Sequence, residues 1–140
     1  MLTRSAPKLT YEGATAVLQA AAKKAAEMKL PIVIAVVDDG GHLLAFARID
    51  DAKPSSVRVA ITKAVSAATR RAPTGPLPNE DNVSVLLSLG MPLASAGSLT
   101  CVRGGMPIQF QGTVVGGIGI SAGTEAQDEE IARAGLEALK

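Results

Sequence analysis

The first third of the chain combines one helical pattern with two strand patterns. Apolar residues recur at helical spacing over residues 10–29, among Ala, Lys and Glu. Residues 31–37 then form an almost wholly apolar run rich in Val and Ile, which is typical of a buried strand. Asp39-Gly40-Gly41 supplies residues that tolerate positive φ angles, and a second strand pattern follows. The sequence therefore predicts a helix and then a β-hairpin over residues 31–48.

The rest of the chain predicts two further helices and a second group of strands. A helix begins after Pro54 and the capping serines that follow it, and it ends near Arg71. Residues 73–79 hold three prolines and a glycine, which exclude regular structure. Residues 83–89 are apolar and suit a helical turn or two. Strands are predicted near 99–103, 106–111 and 113–120, and Thr124 caps a last helix.

Consecutive strands, separated and flanked by helices, indicate an α+β fold with an antiparallel sheet. The length of 140 residues suits one hydrophobic core, so we expect a single domain over residues 1–140. Apolar residues make up 47% of the chain and aromatic residues only 2%, which favours close packing of small side chains and a homo-oligomer that buries further apolar surface.

Charge and composition exclude several classes of function. Fourteen basic residues against 13 acidic ones give no general attraction for nucleic acid or an anionic membrane. No apolar run is long enough to span a membrane, and no apolar signal-peptide core follows Met1-Leu2-Thr3-Arg4, so we expect a cytoplasmic protein. One cysteine and one histidine form neither an internal disulfide nor the usual zinc site, so we expect no structural metal.

Two sequence blocks resemble a known family. The first is Asp-x-Gly-Gly-x-Leu-x-x-Phe-x-Arg-x-Asp over residues 38–50, and the second joins Gly104-Gly105-Met106-Pro107-Ile108 to residues 112–124 and Gln127-Asp128-Glu129. Together they are similar to the GlcG/HbpS family, which includes the C-terminal domain of PduO-type proteins. The resemblance implies a five-stranded antiparallel sheet between helical layers, and assembly into homo-oligomers.

Glycines in the second block approach a dinucleotide-binding fingerprint over residues 117–122. They lie inside a strand pattern and belong to no βαβ unit, so close packing of the strand against another element is the better interpretation. His42, in the predicted hairpin turn, is either a solvated residue or a ligand. Cys101 is more typical of a small buried hydrophobe than of a nucleophile.

Polar residues without an evident structural role are candidates for a binding site. Arginine is well shaped to bind a carboxylate, although two arginines at a helix C-terminus also suit the helix dipole. The candidate binding residues are Arg70, Arg71, Ser95, Ser98, Arg103 and Gly104, and the candidate catalytic acids are Glu80 and Asp81.

Three functional hypotheses follow. The family is similar to hydroxylaminobenzoate lyases, which implies a cofactor-free lyase acting on a small anionic aromatic substrate such as 4-hydroxylaminobenzoate, giving 3,4-dihydroxybenzoate and ammonia. An arginine would hold the carboxylate while Glu80 or Asp81 protonates the departing N-hydroxyl. Several relatives of the family handle haem, which implies a haem-binding protein with His42 as the first ligand to consider. The third hypothesis is a non-catalytic oligomeric module that binds a small ligand. The arginines and the polar loop Asn79-Glu80-Asp81-Asn82 favour the lyase.

Overall fold

A computed structural model describes all residues, 1–140. Its helices are α1 (Tyr11–Glu27), α2 (Ser56–Arg70), α3 (Val85–Ala94) and α4 (Glu125–Leu136), and a short 3₁₀ turn, Glu137–Leu139, follows the last of them. Its strands are β1 (Val33–Asp38), β2 (Leu43–Arg48), β3 (Pro78–Asn79), β4 (Asn82–Val83), β5 (Gly105–Phe110) and β6 (Thr113–Ser121). The α+β class predicted from the sequence is confirmed.

One antiparallel sheet has the strand order β2-β1-β6-β5 and carries helices on both faces. The period of two along β1 divides its side chains between two hydrophobic clusters. Ile32, Ile34 and Val36 pack with the buried alanines and Val17 of α1 and with Ile131 of α4. Val33, Ala35 and Val37 face the alanines of α2. This alternation leaves β1 buried throughout its apolar length.

Glycines of β6 let α2 lie directly on the sheet. A Cβ at Gly117 would collide with the backbone oxygen of Ala64, and one at Gly119 would collide with that of Ala60. Gly105 of β5, paired with Gly119, meets the backbone oxygen of Lys63 in the same way. The close-packing interpretation of the glycine run is therefore confirmed.

The predicted five-strand count is wrong, because residues 99–103 form no strand. The sheet has four strands, and β3 and β4 form a separate two-stranded hairpin. In the irregular segment the backbone N–H of Thr100 donates to Ser66 Oγ at 2.9 Å, and that of Val102 donates to Thr100 Oγ1 at 3.1 Å. Side chains thus satisfy backbone donors that a strand would have directed at a neighbour.

Helix α3 is unusual because none of its residues is buried. Ser84 caps its N-terminus by accepting from the N–H of Leu87, and Pro92 lies inside it. Its sequence, VLLSLGMPLA, contains no charged residue, and Leu86 and Leu93 are each more than 80% exposed. The apolar segment predicted to form a helical turn or two is therefore a helix that leaves its apolar side chains exposed. No helix of the chain combines the length and the hydrophobicity needed to cross a bilayer.

Candidate functional site

His42 lies in the turn between β1 and β2. Asp38 shapes this turn, since its Oδ1 accepts hydrogen bonds from the N–H groups of Gly40 and His42, each at 2.9 Å. The exposed imidazole lies over Gly40, where an added Cβ would be 3.2 Å from His42 Cδ2 and 3.4 Å from Nε2. Gly41 has φ +85° and lies against Val65 and Thr69 of α2. The turn therefore holds the imidazole exposed, close to the C-terminal half of α2.

An apolar shelf extends from His42 along the edge of the sheet. On the face that carries α2, Leu43 and Phe46 of β2 pair with Val37 and Ala35, but α2 lies over β1, β6 and β5 and leaves β2 uncovered. Leu43 and Phe46 are consequently 50% and 37% exposed. Val65 of α2 lies against Gly41 of the turn, and we include it in the shelf with Val57 and Ile61, the half-buried residues that precede it at helical spacing. The shelf thus consists of these five side chains and lies directly beside His42.

A second polar cluster surrounds Arg103, one of the arginines proposed to bind a substrate carboxylate. Its guanidinium forms ion pairs with Glu80, with Glu125 (Nε to Oε2, 3.3 Å) and with Glu129 (Nη1 to Oε1, 3.5 Å). Arg133 also reaches Glu129, with 3.4 Å between Nη2 and Oε2. Three carboxylates of the chain therefore share two guanidinium groups, which leaves Arg103 little capacity for a further anion.

The contact between Glu80 and Arg103 shifts the pKa of both groups. The hydrogen bond from Arg103 lowers the pKa of the Glu80 carboxyl, and the same bond raises the pKa of the Arg103 guanidinium. Both residues line a cleft of about 360 Å³ together with the proline-rich segment, residues 73–79. The structure thus brings these two candidates together, and a lowered pKa makes Glu80 a weaker proton donor at neutral pH.

The other candidates from the sequence serve local structure. Asp81 is exposed in the β3–β4 turn, where its N–H donates to Asn79 Oδ1 at 3.0 Å. Ser95 Oγ bonds to Pro92 O and to the N–H of Leu99, and Ser98 Oγ donates to Ser95 O at 2.9 Å. Gly104 has φ +120° and no room for a Cβ, which would lie 2.8 Å from Ile120 O. None of these four residues lines the cleft that contains Glu80 and Arg103.

A buried ion pair near Gly104 was not predicted. Lys63 of α2 donates to Asp128 Oδ2 at 3.0 Å and to Ile120 O at 2.7 Å, and both charged side chains are almost fully buried. Asp128 Oδ1 also accepts from the N–H of Gly123 at 3.0 Å. Burial raises the pKa of the Asp128 carboxyl, against the opposing effect of Lys63. The only sequence signal for the pair was the position of Asp128 in the Gln127-Asp128-Glu129 block.

Arg71 takes part in a different cavity from Arg103. It follows the last residue of α2, and with Arg4 it lines a cleft of about 460 Å³ beside the β5–β6 turn. Arg70 is half-buried in the last turn of the same helix. Arg70, Arg71 and Arg103, the three candidates for binding a substrate carboxylate, therefore do not line one cleft.

The family model described as "Haem degrading protein HbpS-like" matches residues 9–137. The chain belongs to this HbpS-like family. Among its relatives, protein GlcG of Escherichia coli is 34% identical over 113 residues, which cover 81% of each chain. The crystal structure of HbpS matches with a TM-score of 0.84 at 32% identity, covering 99% of this chain and 95% of HbpS. A PduOC:haem complex matches with a TM-score of 0.83 at 26% identity, covering 94% of this chain and 95% of PduOC.

These relatives correct the preferred functional hypothesis. A cofactor-free reaction was expected, whereas one HbpS-like structure is a haem complex and the family's description names haem. The expectation of a cofactor-free protein is therefore wrong. None of the three relatives is described as a lyase, and they favour the haem-handling alternative. The family resemblance seen in the two sequence blocks is confirmed.

Proposed function

We propose that this protein binds haem, with His42 as a ligand of the iron. The observation that carries the proposal is the position of the chain's single histidine, exposed in a fixed turn at the end of the apolar shelf. Haem requires a ligand such as imidazole together with apolar surface for the porphyrin. The haem complex of the relative PduOC supports the same function.

The residues of the shelf fit the two chemical requirements of haem. His42 offers a ring nitrogen that is not buried, and Leu43, Phe46, Ile61 and Val65 offer apolar contacts for one porphyrin face. Bound haem would supply a redox-active iron, while the chain supplies an iron ligand and a surface from which water is displaced. Two other residues able to ligate haem iron lie elsewhere, since Tyr11 is exposed at the start of α1 and Cys101 lines a cleft beside α3.

Titration with haem tests the proposal. We expect wild-type protein to give a Soret shift that saturates at one haem per chain, and His42→Ala to weaken binding at least tenfold. Tyr11→Phe and Cys101→Ser are matched controls that should keep the wild-type curve. Absence of saturable binding to the wild type would contradict the haem proposal, whereas unchanged binding by His42→Ala would contradict only the ligand assignment.

We further propose that the protein forms a homo-oligomer through α3. Leu86, Leu89 and Leu93 are 81%, 62% and 82% exposed, and Val83, Val85, Leu87 and Val102 are also exposed. A group of neighbouring, exposed apolar side chains of this kind is typical of a protein–protein contact surface. A second copy is the natural occupant, because an uncharged helix offers no charge pattern that would select a different protein.

Light scattering after size exclusion tests this association. Leu86→Glu with Leu93→Glu should shift the mass toward the 14.2 kDa of one chain, because carboxylates would have to be buried at the contact. Val59→Glu, at another exposed valine, on α2, is the control. A monomeric wild type, or an unchanged mass for the double variant, would contradict the proposal.

A further inference from the structure

The cleft that contains Arg71 has the composition of an anion-binding site. Its volume is about 460 Å³, and four segments of the chain line it: the N-terminal residues Arg4, Ala6 and Pro7, the turn residue Asp39, the end of α2, and the β5–β6 hairpin. Gln109 and Thr113 of that hairpin add an amide and a hydroxyl group to the lining. Neither Arg4 nor Arg71 forms an ion pair within the chain.

Asp39 is the only acidic residue in the lining, and Lys8 compensates its charge. Lys8 Nζ lies 2.8 Å from Asp39 Oδ2. This ion pair also attaches the N-terminal segment to the β1–β2 turn. The hydrogen bond from Lys8 lowers the pKa of the Asp39 carboxyl, so it stays ionised and paired. Two guanidinium groups therefore remain available to an entering anion, in a chain whose formal net charge is only +1.

The backbone at Arg71 gives a second, independent observation. Arg71 adopts the left-handed conformation, with φ 60° and ψ 36°, at the position after α2 where glycine is the favoured residue. Arginine at this position costs conformational energy that glycine would avoid. Arginine instead places a guanidinium group at the cleft, and its positive charge offsets the partial negative charge of the helix C-terminus.

We propose that this cleft binds a small organic anion that carries two negative charges, either a dicarboxylate or a phosphate monoester. Arg4 and Arg71 bind the charged groups through the planar, paired N–H geometry that suits both carboxylate and phosphate. Gln109 and Thr113 add neutral hydrogen bonds that orient the ligand. The site differs from the Arg103 cluster, whose guanidinium is already bound by three glutamates, and it does not depend on haem binding.

Isothermal titration calorimetry with succinate, inorganic phosphate and acetate tests the proposal. We expect saturable binding of succinate, of phosphate or of both, and at least tenfold weaker binding of monovalent acetate. Tighter binding of succinate would identify the dicarboxylate class, and tighter binding of phosphate would identify the phosphate class. No saturable heat with either dianion at millimolar concentration would overturn the proposal.

Substitution of Arg71 separates binding from folding. Arg71→Gly removes the guanidinium and relieves the left-handed backbone, so we expect a melting temperature equal to or above that of the wild type and at least tenfold weaker dianion binding. Arg4→Gln should weaken binding similarly. Arg58→Gln, at an exposed arginine of α2 outside the cleft, should change it less than twofold. Wild-type affinity in Arg71→Gly would overturn the assignment.

Discussion

At the residue scale, Gly117 and Gly119 of β6 are positions where any side chain would collide with the backbone of α2. Gly119→Ala would place a Cβ against the backbone oxygen of Ala60, and no rotamer change relieves a clash between two backbones. We expect the free energy of unfolding to fall by about 2–4 kcal/mol, because α2 must move off the sheet. Gly75→Ala, where nothing lies within 4 Å of an added Cβ, is the control. Urea denaturation measures both, and equal stability of the two variants would contradict this account.

Removing one partner of the buried Lys63–Asp128 pair should lower the free energy of unfolding more than removing both partners. Lys63→Met leaves the Asp128 carboxylate buried without its countercharge. We expect it to lower the free energy of unfolding by about 3–5 kcal/mol, as for other broken buried pairs. Lys63→Met combined with Asp128→Leu should recover part of that loss, since no uncompensated charge remains. Additive losses in a double-mutant cycle would show that the two groups are not coupled.

At the element scale, turn and cap residues made much of the fold predictable. Asp39-Gly40-Gly41 located the first hairpin, and Thr124 caps α4 in a full capping box with Gln127. The predicted strand at 99–103 failed because its hydrogen-bond partner is the Ser66 side chain, 34 residues from Thr100. Helix α3 was uncertain because a segment that is apolar all round has no helical period to recognise.

The candidate site was less predictable than the fold, since its contacts join distant parts of the chain. Arg103 was a candidate for binding a substrate carboxylate, and the carboxylates that it contacts in the structure come from the β3–β4 turn and from α4. No local pattern at residue 103 indicates those carboxylates. By contrast, His42 and its turn are contiguous in sequence, which is why the haem alternative already named His42. Arg4 and the buried Lys63 were missed because most of the residues near them in the structure also lie far from them in the sequence.

The β3–β4 hairpin should respond to acid through Glu80. Because Arg103 lowers the pKa of the folded Glu80 carboxyl, their contact stabilises the hairpin above the ordinary glutamate pKa and is lost as pH falls through the lowered value. We expect the carboxyl carbon of Glu80 to titrate below the ordinary glutamate range in NMR spectra, and to return to that range in Arg103→Met. Identical titration curves in the two proteins would contradict a persistent contact.

At the scale of the whole molecule, α2 separates the apolar shelf from the proposed oligomer contact. Val57, Ile61 and Val65 lie on the flank of α2 that adjoins β2. Lys63 and Ser66 lie on the opposite flank, where Ser66 holds the segment that follows α3 through its bond to Thr100. A contact confined to α3 would therefore leave His42 and the shelf uncovered.

This arrangement predicts that assembly and haem binding can be lost separately. The Leu86→Glu and Leu93→Glu double variant should be monomeric and keep haem affinity within about twofold of the wild type, since it changes no residue of the shelf. His42→Ala should keep the wild-type mass and lose haem affinity. Light scattering and Soret titration on the same samples measure both properties. Loss of haem binding in a folded monomeric variant would instead show that a second copy completes the haem site, and the porphyrin would then lie between subunits rather than on one chain.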